Sequence, residues 1–203
     1  MPTGAVDLAP ANGDALLQLA HQHVGEKYVL GALAPKNNPD WTGPWDCAEF
    51  ASWLVFQIAA KLYGCRRDFG DPATAEAYTG YWARDAKSLG QIVPLETASR
   101  TAGAFVLRIP QAGAIGHIVL SDGMGGTVEA HSSNDGVITS TLAERRWDTG
   151  VLIAGIQYTQ GRRRAYLSTG DHRLSADDAG HDWECDIEDT ADIEGCRLRP
   201  WHY

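Results

Sequence analysis

Five short apolar or β-branched runs crowd into one stretch of the chain: AFVLRI (104–109), HIVLSD (117–122), TVEAHS (127–132), GVITST (136–141) and VLIAGIQY (151–158). Glycine-rich turns such as DGMGG separate them. Runs of that length between such turns predict the strands of an antiparallel meander. Upstream the period is helical. Residues 14–24, DALLQLAHQHV, place apolar side chains at 16, 17, 20 and 24 behind Asp14 as candidate N-cap. From 46 to 63, Phe50, Ala51, Leu54, Val55, Ile58 and Leu62 recur at three- and four-residue steps until Gly64 stops the run. A weaker helical pattern covers 74–89. Helices first and a meander second predict an α+β fold.

A chain of 203 residues can bury a substantial core without disulfides or metals. It contains no apolar run of the length a membrane span needs. The first residues, MPTGAVDLAPANGD, show neither a basic n-region nor an apolar h-region, so this stretch does not read as a secretory signal. The net charge of -9 is concentrated in the acidic segment 171–194, and the remainder is balanced. A neutral body without a basic stripe argues against nucleic acid as a partner. Arg162, Arg163 and Arg164 read as a solvated turn. Periodicity fades after 160, so the expected organisation is one catalytic-sized domain over 1–160 and an acidic appendage over 161–203. Trp183, Trp201 and Tyr203 allow the end of the chain to pack back on the body.

Four cysteines, at 47, 65, 185 and 196, lack CxxC pairs and zinc-finger spacing, so neither structural zinc nor another metal is expected. Cys185 and Cys196 could close a small disulfide loop or remain two thiols. His21 and His23 lie two apart on different helical faces and read as surface or core-edge residues. Cys65 lies at a helix end and reads as structural. Cys47 differs, because it opens the strongest helical stretch of the chain behind Trp45 and Asp46. Unpaired N–H groups at a helix N-terminus stabilise a thiolate and the oxyanion of acyl transfer. His117 opens the second run and His131 lies on the third, so a tight turn at 122–126 would bring both imidazoles to one end of a ladder. In that arrangement His117 faces Cys47 as base and His131 bonds its far ring nitrogen, with Asn134 and Asp135 as further candidates for the third place.

The series GEKYVLGA, WDCAEF, GAFVLRI, GHIVLSDG, VEAHS and DGV resembles, in order and interval, the NlpC family of papain-like cell-wall endopeptidases. The resemblance spans roughly 14–158. It implies a papain-like fold in which N-terminal helices, with the nucleophile helix among them, pack on a central antiparallel sheet. It also implies Cys47 as nucleophile, His117 as general base, His131 as orienting residue and Tyr28 as an active-site tyrosine. Ala48-Glu49 stands where that family has Ser-Gly, which puts a carboxylate near the expected substrate path. Gly31-Ala32 replaces Gly-Gly, and Gly103-Ala104 replaces a frequent Gly-Asp. Tyr28, Trp45, Asp46 and Glu49 are therefore the candidate substrate-binding residues. Asp46 has the alternative role of helix cap, and Trp41 and Trp45 the alternative of packing within their loop.

The implied reaction is cleavage of a peptidoglycan stem peptide, at the bond between D-isoglutamate and a diamino acid, through a thioester and without a cofactor. Its site of action would be the periplasm, the wall or the cell exterior, with cytoplasmic recycling as the alternative. A toxin of this type would have an inhibitor or immunity protein as partner. An amidase or acyltransferase of the same fold acting on a non-wall substrate, and an inert binding module, are the other readings.

Overall fold

The computed structural model describes residues 11–159. The acidic segment, Cys185, Cys196, the 162–164 arginines and the C-terminal aromatics lie outside the described residues. The described chain runs α1 (Gly13–Gln22), α2 (Cys47–Ala59), α3 (Thr79–Ser88), β1 (Ile92–Val93), α4 (Leu95–Ser99), β2 (Ala102–Arg108), β3 (His117–Asp122), β4 (Gly126–Ser132), β5 (Gly136–Thr141) and β6 (Thr149–Val151). The strands form one antiparallel sheet in the order β1-β6-β2-β3-β4-β5. This is the expected α+β layout, with the cysteine-bearing helix against the sheet.

Helix α2 is the centre of the molecule. Cys47 through Val55 are all buried, so the helix is enclosed on every side and not amphipathic. It starts where the Asp46 side chain accepts the Glu49 N–H at 2.9 Å, a conventional N-cap bond. It ends earlier than the sequence predicts, because Ala60 turns left-handed at φ 51° well before Gly64. Helix α1 begins two residues earlier than expected: Asn12, and not Asp14, is the cap and accepts the Ala15 N–H at 2.7 Å.

The sheet is covered on both faces. Phe105, Leu107, Ile118, Leu120, Val128, Ala130 and Val137 pack with α1 and α2, while Ala104, Val106 and Val119 pack with Ala98 of α4. The α1 side approaches β2 so closely that a Cβ at Gly103, where φ is +78°, would lie 2.2 Å from the Gly13 carbonyl oxygen. Strands β3 and β5 coincide with the predicted runs. The VLIAGIQY run does not: only its first residue belongs to β6. The backbone beyond leaves the ladder, with Leu152 N–H bonding Gln91 and Gln157 N–H bonding Ala11. The short elements β1 and α4 were not predicted, and α3 starts at Thr79 instead of 74.

Candidate active site

The start of α2 meets the start of β3. The backbone amides of Ile118, Ala48 and Cys47 lie by the Cys47 sulfur and favour its charged form. The β3–β4 ladder is paired at Leu120–Val128 and Ser121–Thr127, and the strands part on the His117 side of it. The thiol therefore sits where the sheet opens, against the residue that follows His117. Burial, and then the charge of Asp46, push the thiol up to about 12 against those three amides. At neutral pH the resting group is a thiol.

His117 is almost fully buried, and its Nε2 lies 2.6 Å from Glu129 Oε2. Glu129 is 1% exposed and saturated with donors. Thr127 Oγ1 and Arg145 Nη1 donate to Oε1 at 2.8 and 2.6 Å, and Arg145 Nη2 donates to Oε2 at 2.8 Å. Burial alone would raise this carboxyl, but Arg145, His117 and Thr127 outweigh it and hold the group down at about 2. A carboxylate has no proton to give, so His117 carries its hydrogen on Nε2 and its lone pair on Nδ1. Burial lowers the imidazole's proton affinity, with Arg145 and Arg108 adding to it and Glu129 opposing. His117 is a neutral base with a fixed tautomer.

His131 does not take the expected place. Its ring is edge-on to His117 with centroids 6.2 Å apart, and its Nδ1 lies 2.9 Å from Asp135 Oδ2. The strand geometry explains the exchange. The β3–β4 pairing ends at Leu120–Val128, and the register of β4 shifts between Ala130 and Ser132, at His131. Glu129, ahead of that irregularity, reaches the ring nitrogen, while His131 turns to Asp135. The third group on His117 is Glu129, a residue the sequence reading missed. Its one signal was strand parity with His131.

Three of the four candidate substrate-binding residues are engaged elsewhere. Glu49 is 1% exposed, and its carboxylate accepts from Lys36 Nζ, from Ala34 N at 3.0 Å and from Ala77 N at 2.6 Å. Its oxygens are taken up by these partners, as a buried carboxylate requires. Trp45 is fully buried among His23, Phe50 and Trp53 and donates its indole N–H to Glu26. The packing alternative therefore holds for Trp45. Asp46 spends both oxygens on backbone, the second accepting from Gly31 N at 3.2 Å. Tyr28 remains by the thiol. Its segment pairs with Trp45, through Val29 N–H to the Trp45 carbonyl at 2.8 Å. Burial, then the nearness of Cys47 and Asp46, push the phenol up to about 12, so it is a hydrogen-bond donor at neutral pH.

Cys65 is buried with its thiol toward the Tyr63 carbonyl, as a structural residue would be. His23, expected at a surface or core edge, is 7% exposed inside the Trp45–Trp53 cluster. Among the described residues no three His, Cys, Asp or Glu side chains converge as a metal site would require. No helix of the described residues is long and apolar enough to cross a membrane. An open recess of about 550 Å³ lies at the opposite end of α2, lined by Phe56, Leu62, Phe69, Leu89 and Ile153. Its lining includes none of the groups around Cys47, and the chemistry places the candidate site at the thiol.

No protein-family model and no curated protein matches the chain. Solved structures do. The NlpC/p60 domain of the peptidoglycan hydrolase SagA shares 21% identity at a TM-score of 0.48, covering 70% of this chain and 99% of that one. The peptidoglycan hydrolase RipB of Mycobacterium tuberculosis shares 20% at 0.48, covering 75% and 72%. NlpC1 of Trichomonas vaginalis shares 14% at 0.48, covering 77% of this chain and 47% of its own. The chain is similar to NlpC/p60 domains.

Proposed function

We propose that this protein is an NlpC-type cysteine endopeptidase that hydrolyses an amide bond in a peptidoglycan stem peptide. Cys47 is the nucleophile, His117 the general base and Glu129 the group that orients it. One observation carries the reading. The sulfur at the start of a buried helix lies by the backbone amide of the residue following a histidine, and that histidine's Nε2 is bonded to an ionised carboxylate.

The chemistry follows from the resting protonation states. Because thiol and imidazole both start neutral, the Cys47 proton passes to His117 Nδ1 as sulfur attacks the amide carbonyl carbon. A C–S bond forms, and the carbonyl oxygen becomes an oxyanion. The amides at the start of α2, released from the sulfur as its charge is consumed, are positioned to hold that oxygen. The imidazolium returns its proton to the leaving nitrogen as the C–N bond breaks, leaving a thioester and a free amine. Water then attacks the thioester with His117 taking its proton, and the carboxylate product leaves with the thiol restored. Tyr28 supplies a neutral donor beside this path. The bond between D-isoglutamate and the diamino acid is the expected point of cleavage, which would place the activity at the cell wall.

The test is mass spectrometry of stem-peptide fragments, with and without glycan, incubated with wild type and with Cys47→Ala. A fragment produced by wild type and not by Cys47→Ala supports the proposal and identifies the bond. Intact fragments in every wild-type reaction would overturn it.

A further inference from the structure

Arg145 is outside every motif that the resemblance contains, yet it makes two of the four side-chain hydrogen bonds to the carboxylate behind the base. Its segment, 142–148, connects β5 at one edge of the sheet to β6 beyond β2, so it must cross the ends of β4, β3 and β2. It is pinned on arrival: Asp148 N–H bonds the Leu107 carbonyl at 2.9 Å, and Ile109 N–H bonds Asp148 Oδ2 at 2.8 Å. The crossing lays Trp147 on the His117 ring, with centroids 6.0 Å apart and planes 26° from parallel. The Arg145 guanidinium lies 4.7 Å over Trp147 and forks onto both Glu129 oxygens.

We propose that Arg145 is a positioning residue of this site, whose guanidinium cancels the charge of Glu129 so that the carboxylate can aim His117 without making it a stronger base. An unpaired buried carboxylate at 2.6 Å would draw a proton onto the imidazole and remove the lone pair that the thiol proton needs. A neutral partner in place of Glu129 would leave the ring without a charged anchor. The Glu129–Arg145 pair supplies the direction of a carboxylate with little of its net field.

The other charged or titratable groups on the neighbouring elements do not duplicate this. Arg108 is its Cα partner on β2 and adds positive potential. His131 on β4 is paired with Asp135, Glu96 and Arg100 of α4 pair with each other at the exposed surface, and Cys47 of α2 is neutral at rest. Removal of Arg145 is therefore the change that exposes the Glu129 charge.

The inference rests on His117 as the base, and its test needs no substrate, so it is separable from the hydrolase reading. The His117 ring is titrated by NMR in histidine-labelled protein, its signal assigned by loss in His117→Gln. Arg145→Met should move the His117 midpoint up by about one pH unit or more. Arg145→Lys, which keeps the charge and loses the fork, should stay near wild type. The double variant Glu129→Gln/Arg145→Met should also stay near wild type, because the pair is removed together; it keeps the test readable if Arg145→Met does not fold. An unchanged or lower midpoint in Arg145→Met overturns the proposal, as does a double variant shifted upward by about one unit. In active protein, the acid limb of kcat/KM should rise with the NMR midpoint in Arg145→Met, a movement that loss of a merely structural contact would not produce.

Discussion

Lys36, from a loop with no regular secondary structure, and Glu49 of α2 form an ion pair in which both side chains are shielded from water. Lys36 Nζ also donates to the Ala34 and Ala75 carbonyls at 3.0 and 2.7 Å, and Glu49 takes the Ala34 and Ala77 amides. The pair thus ties the 32–44 loop and the 72–77 loop to the first turn of α2, two residues from the thiol. Breaking it leaves one buried charge without its counterion. Lys36→Met should cost about 3–5 kcal/mol in chemical denaturation, and Lys36→Met/Glu49→Leu less than that. A cost below about 1 kcal/mol for the single variant would contradict the clamp.

The exchange of His131 for Glu129 separates their substitutions. Glu129→Ala frees the His117 ring and leaves Arg145 unpaired, so kcat/KM on a stem-peptide substrate should fall by about two to three orders of magnitude. His131→Ala removes a partly exposed ring bonded to Asp135 and should stay within a few-fold of wild type. Comparable losses in both variants would restore His131 to the orienting role.

These two cases show what could be read from the sequence. Helix α2 was legible because its apolar period and its Asp46 cap are local properties, β3 because glycine turns bound it on both sides, and β5 because Gly136 opens a β-branched run. Cys47 stood out for its place at that helix start. Glu129 did not, because it shares strand parity with His131, and only the parting of β3 from β4 and the register shift of β4 at His131 decide between them. Glu49 was misread as facing substrate because its partner, Lys36, comes from an irregular loop that carries no pattern. Arg145 depends on the order of strands in the sheet, which determines where the β5–β6 connection crosses. Local order was encoded locally; the polar network around the thiol was set by topology.

Trp45 offers a check on core against cleft. Its ring packs edge-on to Phe50 and Trp53 at 5.1 and 5.2 Å between centroids, one residue before the cap of α2. Trp45→Phe should lower stability by roughly 1–3 kcal/mol, through lost packing and the lost indole bond to Glu26, while leaving KM of the folded enzyme unchanged. A several-fold rise in KM with unchanged stability would place the ring in the cleft instead.

Acid should unfold the protein through the same network that orients the base. Glu129 is held at about 2 in the folded chain, against an ordinary value of 4.5. A carboxyl with a depressed folded value stabilises the fold fully above the unfolded value and loses that contribution as pH falls towards the folded one. The loss should therefore run from about pH 5 down to about pH 2. His117, whose proton affinity is lowered by burial, adds to it in the same direction, because below pH 6.5 the unfolded chain binds the proton more readily. Glu129→Gln should be less stable than wild type at pH 7, by about 3 kcal/mol, since it leaves the guanidinium without its partner. Its stability should also change less between pH 5 and pH 2, which denaturant melts at fixed pH would measure. Parallel pH profiles for the two proteins would mean that the acid sensitivity comes from other carboxylates and that Glu129 is not the ionised anchor of His117.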